Sequence, residues 1–76
     1  MMELLNLEKG KSAIVSGINA KDETIIAKLR EIGFAEGDEV EIMHYGPIAK
    51  TPICIRLNRT LIALRPEEAC AIEVEA

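Results

Sequence analysis

Residues 29–42, LREIGFAEGDEVEI, decide the fold. A helical pattern stops at Gly33, a turn follows at Gly37, and a strand with apolar residues at alternate positions begins at Val40. Gly33 can adopt the left-handed conformation that ends a helix without a Cβ penalty. Gly37 supplies the conformational freedom that a tight turn needs. The stretch therefore predicts one helix that is tied closely to the start of a small β-sheet.

Upstream of Gly33, the pattern of a single amphipathic helix extends back to Asp22. Asp22 is a good N-cap residue, and a carboxylate follows it in the first turn, where the helix dipole favours negative charge. Apolar residues then recur at the spacing of one helical face. These residues are Ile25, Ile26, Leu29 and Ile32. The sequence predicts a helix over residues 22–33.

The rest of the chain predicts about five short strands joined by tight turns. They begin near Lys11, Val40, Ile53, Leu61 and Ile72. We expect a bulge at Gly17, a proline-bounded loop over residues 47–52, and a helical turn that starts at Pro66. This pattern favours a mainly β fold, a small barrel with one α-helix after the first strand and a helical turn before the last.

The composition bounds the size of the core and the class of partner. Residues 1–76 are enough for a single domain, and a chain of this size buries only about 60% of its unfolded surface. The chain has one Phe, one Tyr and no Trp, so aliphatic side chains must form the core. The net charge of −4 and the scarcity of aromatic side chains disfavour nucleic acid as a partner.

Targeting signals and disulfide patterns are not visible in the sequence. Its two cysteines are too few for a disulfide framework. The N-terminal stretch lacks the basic and long apolar segments of a signal peptide, and no segment is apolar enough to insert in a membrane. These features predict a cytoplasmic protein with reduced thiols.

No constellation of residues predicts catalysis or a cofactor. His44 is the single histidine, and the serines at positions 12 and 16 lie on a predicted strand, without the sharp turn that exposes a nucleophile. The five glycines are scattered singly, so there is no phosphate-binding loop. We expect a protein that is not an enzyme and that holds no resident cofactor.

Two sets of residues in this sequence suggest hypotheses of metal binding. His44, Cys54 and Cys70 are soft ligands, but their spacing is not that of a zinc site, and Cys70 is expected to be a small buried residue between two alanines. Alternating glutamates could form an acidic outer face if their two strands were neighbours. These glutamates are Glu39, Glu41, Glu73 and Glu75. A solvated strand face explains them more simply, so no metal site is assigned.

A docking surface for a partner protein is the remaining functional candidate. The apolar face of the helix is wider than one line of contacts, and an aromatic residue that we expect to be exposed follows the helix. Two further apolar residues share the predicted outer side of the next strand. The predicted partner-binding residues are Ile25, Ile26, Leu29, Phe34, Met43 and Tyr45.

Four segments together resemble the FeoA family of small bacterial proteins. They are Leu4, Leu7 and Gly10 in the spacing L-x-x-L-x-x-G, the strand that ends at Ile18, the stretch LREIGFAEGDEVEI, and the closing stretch IALRPEEACAIEV. The resemblance covers nearly the whole chain. No single motif is diagnostic, but their order and spacing in so short a chain are fairly specific.

The resemblance implies an SH3-like barrel and a role in ferrous iron uptake. The implied partner is the cytoplasmic part of a FeoB-type ferrous iron transporter, which carries a GTP-binding domain. The implied action is protein–protein contact that modulates the assembly of the transporter or its nucleotide cycle. A homodimer and weak binding of Fe²⁺ or another divalent cation are left open.

The alternative function is metal binding or sensing. The same fold occurs as the C-terminal module of iron- and manganese-dependent repressors that resemble the diphtheria toxin repressor. A chain without a winged helix argues against a repressor. A small metal-responsive domain would have to use the outer carboxylates together with His44 or the cysteines.

Overall fold

The computed structural model describes residues 2–49 and 51–76, which form one six-stranded antiparallel sheet and two helices. The strands follow each other across the sheet in the order β1-β6-β2-β3-β4-β5, a curved, barrel-like arrangement that is not closed. The strands are β1 (Met2–Glu3), β2 (Ser12–Ile18), β3 (Glu39–Ile48), β4 (Thr51–Leu57), β5 (Thr60–Leu64) and β6 (Ile72–Glu75). The helices are α1 (Glu23–Ile32) and α2 (Pro66–Ala69), and a 3-10 turn occupies Leu4–Asn6.

Helix α1 begins and ends where the capping residues predict. The Asp22 carboxylate accepts a hydrogen bond from the backbone N–H of Thr24 at 2.9 Å, which satisfies one donor of the first turn. Hydrogen bonding to the side chain of Thr24, together with that to its backbone N–H, lowers the pKa of Asp22. Gly33 has a φ of 125°, and its N–H donates to the carbonyl of Leu29. The prediction of a helix over residues 22–33 is confirmed.

The predicted mainly β barrel is confirmed, with one additional strand. Strand β1 is only two residues long and pairs with β6, so α1 follows the second strand of the chain rather than the first. The bulge predicted at Gly17 is present, because the pairing of β2 with β6 shifts register between Val15 and Gly17. Helix α2 supplies the helical turn before the last strand.

The loop predicted over residues 47–52 is wrong, because the two strands continue into a tight hairpin. Strand β3 runs to Ile48 and β4 begins at Thr51, while Lys50 lies outside the described residues. Both prolines therefore lie within strands, at the end of the sheet where the register of β3 and β4 is irregular. A Cβ at Gly46 would lie 2.1 Å from the carbonyl oxygen of Thr51, so only glycine allows this close approach.

The core is aliphatic apart from one aromatic ring. Leucines, isoleucines and valines from every strand except β1 pack with Leu29 of α1 and with Phe34, which follows the helix. The largest fully buried side chains are those of Phe34, Leu4, Leu29, Ile42, Ile53, Ile55, Leu64, Ile72, Val15, Val40 and Val74. The N-terminal turn contributes Leu4, which is fully buried, so this segment is part of the fold.

Candidate docking surface

Two of the predicted partner-binding residues belong to the core. Leu29 is 0% exposed and Phe34 is 1% exposed, so neither can contact a partner. The exposure predicted for Phe34 is wrong because the left-handed turn at Gly33 folds the chain back. The N–H of Phe34 then donates to the carbonyl of Leu29 at 3.1 Å, and its ring is buried in the core.

The two isoleucines in the second half-turn of α1 differ in their packing. Both are half-buried, but Ile25 packs against the core and Ile26 is not among the residues that do so. Ile26 lies on the flank of the helix, one turn before Arg30. On the other flank, Ile32 lies one turn after Lys28 and is 37% exposed. The helical spacing predicted Ile32 only as part of the apolar face, but Ile32 is the last residue of α1, and a helix end is less well covered than the middle of a helix.

Met43 and Tyr45 do not share the outer side of β3, contrary to the prediction. The register of β3 against β4 shifts between Ile42 and His44, so a bulge interrupts the alternation of side chains. Met43 is exposed on the surface, whereas Tyr45 pairs with Ile53 and packs half-buried against the core. The bulge therefore exposes Met43 and His44 and turns Tyr45 inward.

Burial removes three of the six predicted residues from an accessible surface, because Leu29 and Phe34 are buried and Tyr45 packs against the core. Of the remaining three, Ile25 packs against the core, Ile26 does not, and Met43 is exposed on β3. The part of the predicted surface on α1 thus reduces to the flank that carries Ile26. We call Ile26 and Arg30 the helix flank.

Both cations beside the apolar face of α1 are held by carboxylates from outside the helix. Arg30 forms two hydrogen bonds to the Glu36 carboxylate, at 2.7 and 3.2 Å, and approaches the carbonyl of Phe34 at 3.4 Å. The hydrogen bond from Arg30 lowers the pKa of Glu36 to about 2. These two parallel hydrogen bonds fix the Arg30 side chain across the segment that follows the helix.

Lys28, on the opposite flank, forms an ion pair with Glu68 of α2. Glu68 is almost fully buried, and its carboxylate also accepts a hydrogen bond from the backbone N–H of Arg65 at 2.9 Å. Burial opposes ionisation of Glu68, but the hydrogen bonds from Arg65 and Lys28 keep its pKa below the usual value. Lys28 therefore ties α1 to α2 and serves the fold.

The candidate metal ligands are dispersed in the described part of the chain. No group of three or more His, Cys, Asp or Glu side chains is placed there to hold a metal ion. His44 lies opposite Cys54 across β3 and β4. Cys70 is exposed, not buried as expected, because it caps the end of α2 between the buried Ala69 and Ala71.

The acidic outer face that depended on neighbouring strands does not form as envisaged. Strand β2 lies between β3 and β6, so Ile14 separates Glu39 from Glu75. Arg56 of β4 hydrogen-bonds Glu39 at 3.1 Å and Glu41 at 3.0 Å. Because Arg56 hydrogen-bonds both carboxylates and offsets part of their charge, they are weaker ligands for a cation than free carboxylates.

A groove of about 420 Å³ lies beside the N-terminal turn, and its chemistry is not that of an active site. Its lining includes Lys11, Glu8 and Ser12 but no histidine or cysteine. A serine nucleophile needs a neighbouring base, and an imidazole is the usual one. No helix in the described residues is long and apolar enough to span a membrane.

Comparison with known proteins identifies relatives over almost the whole chain. A model of the FeoA domain matches residues 2–76. No curated protein sequence matches significantly. Among solved structures, FeoA from Stenotrophomonas maltophilia, complexed with zinc, is 32% identical, with a TM-score of 0.84 over 99% of this chain and 91% of that one. It is described as an SH3 domain protein and a candidate ferrous iron transport activating factor.

Two further structures extend the comparison. A FeoA-like protein from Clostridium acetobutylicum is 30% identical, with a TM-score of 0.86 over 97% of this chain and 84% of that one. A manganese-dependent transcriptional repressor is 19% identical over 95% of this chain and 39% of its own length, with a TM-score of 0.83. The repressor shows that the fold is shared, and the SH3-like fold implied by the sequence resemblance is confirmed.

Proposed function

Because this chain belongs to the FeoA family, we propose that it is a non-enzymatic accessory protein of ferrous iron uptake. It acts by contact with the cytoplasmic part of a FeoB-type transporter, where it modulates the assembly of the transporter or its nucleotide cycle. The family associates the chain with iron transport, and the description of the Stenotrophomonas maltophilia relative as a transport activating factor supports this role. We place the action in the cytoplasm, on the side of the transporter's GTP-binding domain.

The observation that carries the proposal is the half-buried Ile26 on the helix flank. Its side chain is not part of the core cluster, so the fold does not require an isoleucine there. Arg30 is its neighbour one turn later and is held in place by Glu36. An apolar residue beside an ordered guanidinium is the type of anchor that protein interfaces use, because little side-chain entropy is lost on binding.

Ion pairing also explains how this surface can discriminate between partners. Arg30 and Glu36 remain 42% and 53% exposed, so water screens their mutual attraction and a partner can still reach both. A partner that leaves the hydrogen bonds between Arg30 and Glu36 intact keeps both charges paired. A partner that buries only one of them leaves an unpaired charge, which is unfavourable.

The test compares two substitutions on the same helix. Ile26→Asp places a charge on the helix flank, and Ala27→Asp places the same charge on the adjacent exposed position, which points away from the core. Titration of each ¹⁵N-labelled variant with the soluble cytoplasmic domains of the transporter, without metal, measures binding. We expect Ile26→Asp to weaken binding at least about tenfold and Ala27→Asp to leave it nearly unchanged.

Two outcomes contradict the proposed surface. If folded Ile26→Asp binds normally, the helix flank is not the contact. If both variants lose binding equally, the loss reflects added negative charge and not the position of Ile26. Circular dichroism of both variants establishes that the helix is intact.

Metal binding is the second candidate function, and one cross-strand pair favours it. His44 and Cys54 face each other on neighbouring strands, and the Stenotrophomonas maltophilia relative was crystallised with zinc. Two ligands are half of the four that a structural zinc site uses. Anaerobic calorimetry with Fe²⁺ and with Zn²⁺ tests this function, and a stoichiometric heat that disappears in Cys54→Ser would support it.

A further inference from the structure

Strand β5 is the edge of the sheet, and its outer side has no partner strand. Its one neighbour is β4, to which it is joined by the two-residue turn Asn58-Arg59. With a turn of this length, Leu57 and Thr60 form a hydrogen-bonded pair, and such pairs then alternate along the ladder. The backbone groups of Thr60, Ile62 and Leu64 therefore point towards β4.

The backbone groups of Leu61 and Ala63 point the other way. The register of β4 and β5 has no irregularity, so the alternation holds along the whole strand. In the described residues, no hydrogen bond from another element reaches the backbone of Leu61 or Ala63. Leu61 is 64% exposed and Ala63 is also exposed. Two N–H and two C=O groups are thus presented along an accessible edge.

This edge lacks the features that proteins use to prevent strand addition. Strand β5, with the sequence TLIAL, contains no proline, no charged residue and no bulge. The opposite edge of the sheet is β1, which is only two residues long and carries Glu3. Short length and charge protect β1, whereas β5 is open to an added strand.

Arginines bound β5 at both ends, and neither is held in an ion pair in the described residues, although the charge of Arg65 also attracts the nearby Glu68 carboxylate. Arg59 precedes the strand and Arg65 follows it, and both are exposed. Lys28, Arg30 and Arg56 are ion-paired, but within the described residues Arg59 and Arg65 form no ion pair. Arg59 is the second residue of the turn before β5, and Arg65 directly follows the strand. A strand added along this edge and extended past both of its ends would need about 20 Å to span the six-residue spacing of the two arginines.

The same arginines oppose pairing between two copies of β5. An antiparallel pair that uses the free groups of both strands sets Leu61 opposite Ala63 of the second copy. Arg59 then lies opposite Arg65 of the second copy, and the symmetry repeats this contact. Like charges directly opposite each other destabilise a strand pair. The edge is therefore biased against self-association and towards an acidic strand.

We propose that the β5 edge binds an extended, acidic segment of a partner protein by strand addition. The bound segment continues the sheet through the N–H and C=O groups of Leu61 and Ala63. It carries apolar residues opposite these two positions and carboxylates six residues apart that meet Arg59 and Arg65. The proposal involves none of the residues of the helix flank, so it stands or falls independently of the transporter contact.

The probe that tests the proposal is the peptide Glu-Thr-Val-Thr-Val-Thr-Glu with blocked termini. Its controls are the same peptide with glutamine or lysine at both ends. Titration to millimolar concentration against the ¹⁵N-labelled protein should shift the amides of Leu61 and Ala63 and slow their hydrogen exchange. We expect the glutamate peptide to bind about tenfold more tightly than the glutamine peptide, and the lysine peptide more weakly still.

Two variants separate the roles of the backbone and the charges. Ala63→Pro removes an outward N–H that β4 does not use, so the ladder survives and peptide binding is lost. Arg59→Glu with Arg65→Glu should reverse the preference from the glutamate to the lysine peptide. Lys9→Glu with Lys11→Glu makes the same change in net charge at exposed positions elsewhere and should not reverse it.

The charge-reversal pair leaves the backbone untouched, so the test does not depend on the folding of the proline variant. Equal binding of the glutamate and lysine peptides would overturn the proposal. So would shifts centred away from β5, or no shift at millimolar glutamate peptide. If Lys9→Glu with Lys11→Glu also reversed the preference between the peptides, the effect would come from net charge, and the proposal would be overturned as well.

Discussion

Helix α1 and strand β5 both place cations beside exposed aliphatic side chains. The cations on α1 are ion-paired within the protein, and those that flank β5 are not. On α1, Arg30 is held by Glu36 and Lys28 by Glu68, and the helical backbone bonds internally. On β5, Arg59 and Arg65 have no ion pair in the described residues, and the backbone groups of Leu61 and Ala63 face outward. The hydrogen bonds of the helix are internal, whereas the outward groups of the β5 edge are left to solvent and can pair with an added strand.

The comparison separates two kinds of contact surface. A satisfied surface gains from binding mainly by the burial of apolar area, so a single charge placed at Ile26 should disrupt it. An unsatisfied edge gains from backbone hydrogen bonds and charge pairing, so it tolerates many side chains as long as the added strand carries the right charges.

We expect the largest effect on stability from Phe34→Ala, which removes the one aromatic side chain of the core. Loss of a fully buried Phe costs about 3–5 kcal/mol in the free energy of unfolding, because it leaves a cavity. For 76 residues the total stability is about 4–11 kcal/mol, so the variant should be close to unfolding. Urea unfolding followed by circular dichroism measures the change.

Ile26→Ala is the matched control for Phe34→Ala. Ile26 is half-buried and outside the core cluster, so we expect its truncation to cost roughly 1 kcal/mol or less. Equal losses in the two variants would place Ile26 in the core. The helix flank would then be a structural element and not a surface that is free for binding.

The next effect concerns the edge, where Arg65→Glu should convert the bias against self-association into a bias towards it. In the symmetric strand pair, the substituted carboxylate would face Arg59 of the second copy, and this would occur twice. We expect the dimerisation constant to tighten about tenfold or more over that of the parent chain. Sedimentation equilibrium at low and high salt measures it.

The double variant Arg59→Glu with Arg65→Glu is the control for that prediction. It restores like charges opposite each other, now negative, so it should be as monomeric as the parent chain. Dimerisation of the double variant, or none of the single variant, would show that charge does not govern pairing at this edge. High salt should weaken the dimer of the single variant because the pairs are exposed.

The contrast also shows which features the sequence reveals. Helix α1 could be predicted almost to the residue because Asp22 and Gly33 mark its ends with local chemistry. The surface could not, because a bulge at Met43, which no glycine marks, shifts the alternation of side chains so that Tyr45 faces the core. Strand β5 was visible as a segment, but its position at the edge depends on the order of strands, which no local pattern encodes.

The same reasoning explains the error at Phe34. A glycine after a helix signals that the chain turns, but the direction in which the next side chain points depends on the positive φ that Gly33 adopts. With that geometry the ring is buried and Arg30 reaches the carbonyl of Phe34 at 3.4 Å. Arg30 and Glu36 then close over the turn, a contact between residues six apart that no helical spacing predicts.

The smallest effect is the pH dependence of this Arg30–Glu36 contact. The hydrogen bond from Arg30 lowers the pKa of Glu36 from 4.5 to about 2 in the folded protein. Because the folded pKa is lower than the unfolded one, the contact stabilises the fold above pH 4.5 and loses this effect as the pH falls towards 2. Glu36→Gln should therefore lower the Tm slightly at pH 7 and by much less at pH 2, where Glu36 is about half protonated in the folded protein.

Thermal unfolding of the parent chain and of Glu36→Gln at pH 7 and pH 2, at low and high salt, measures this difference. Both groups are exposed, so high salt should reduce the difference in Tm at pH 7. An equal difference at both pH values would mean that the Glu36 side chain acts through packing and not through its charge. Arg30 would then be as available to a partner as Arg59 and Arg65, and the distinction between the satisfied helix and the unsatisfied edge would not hold.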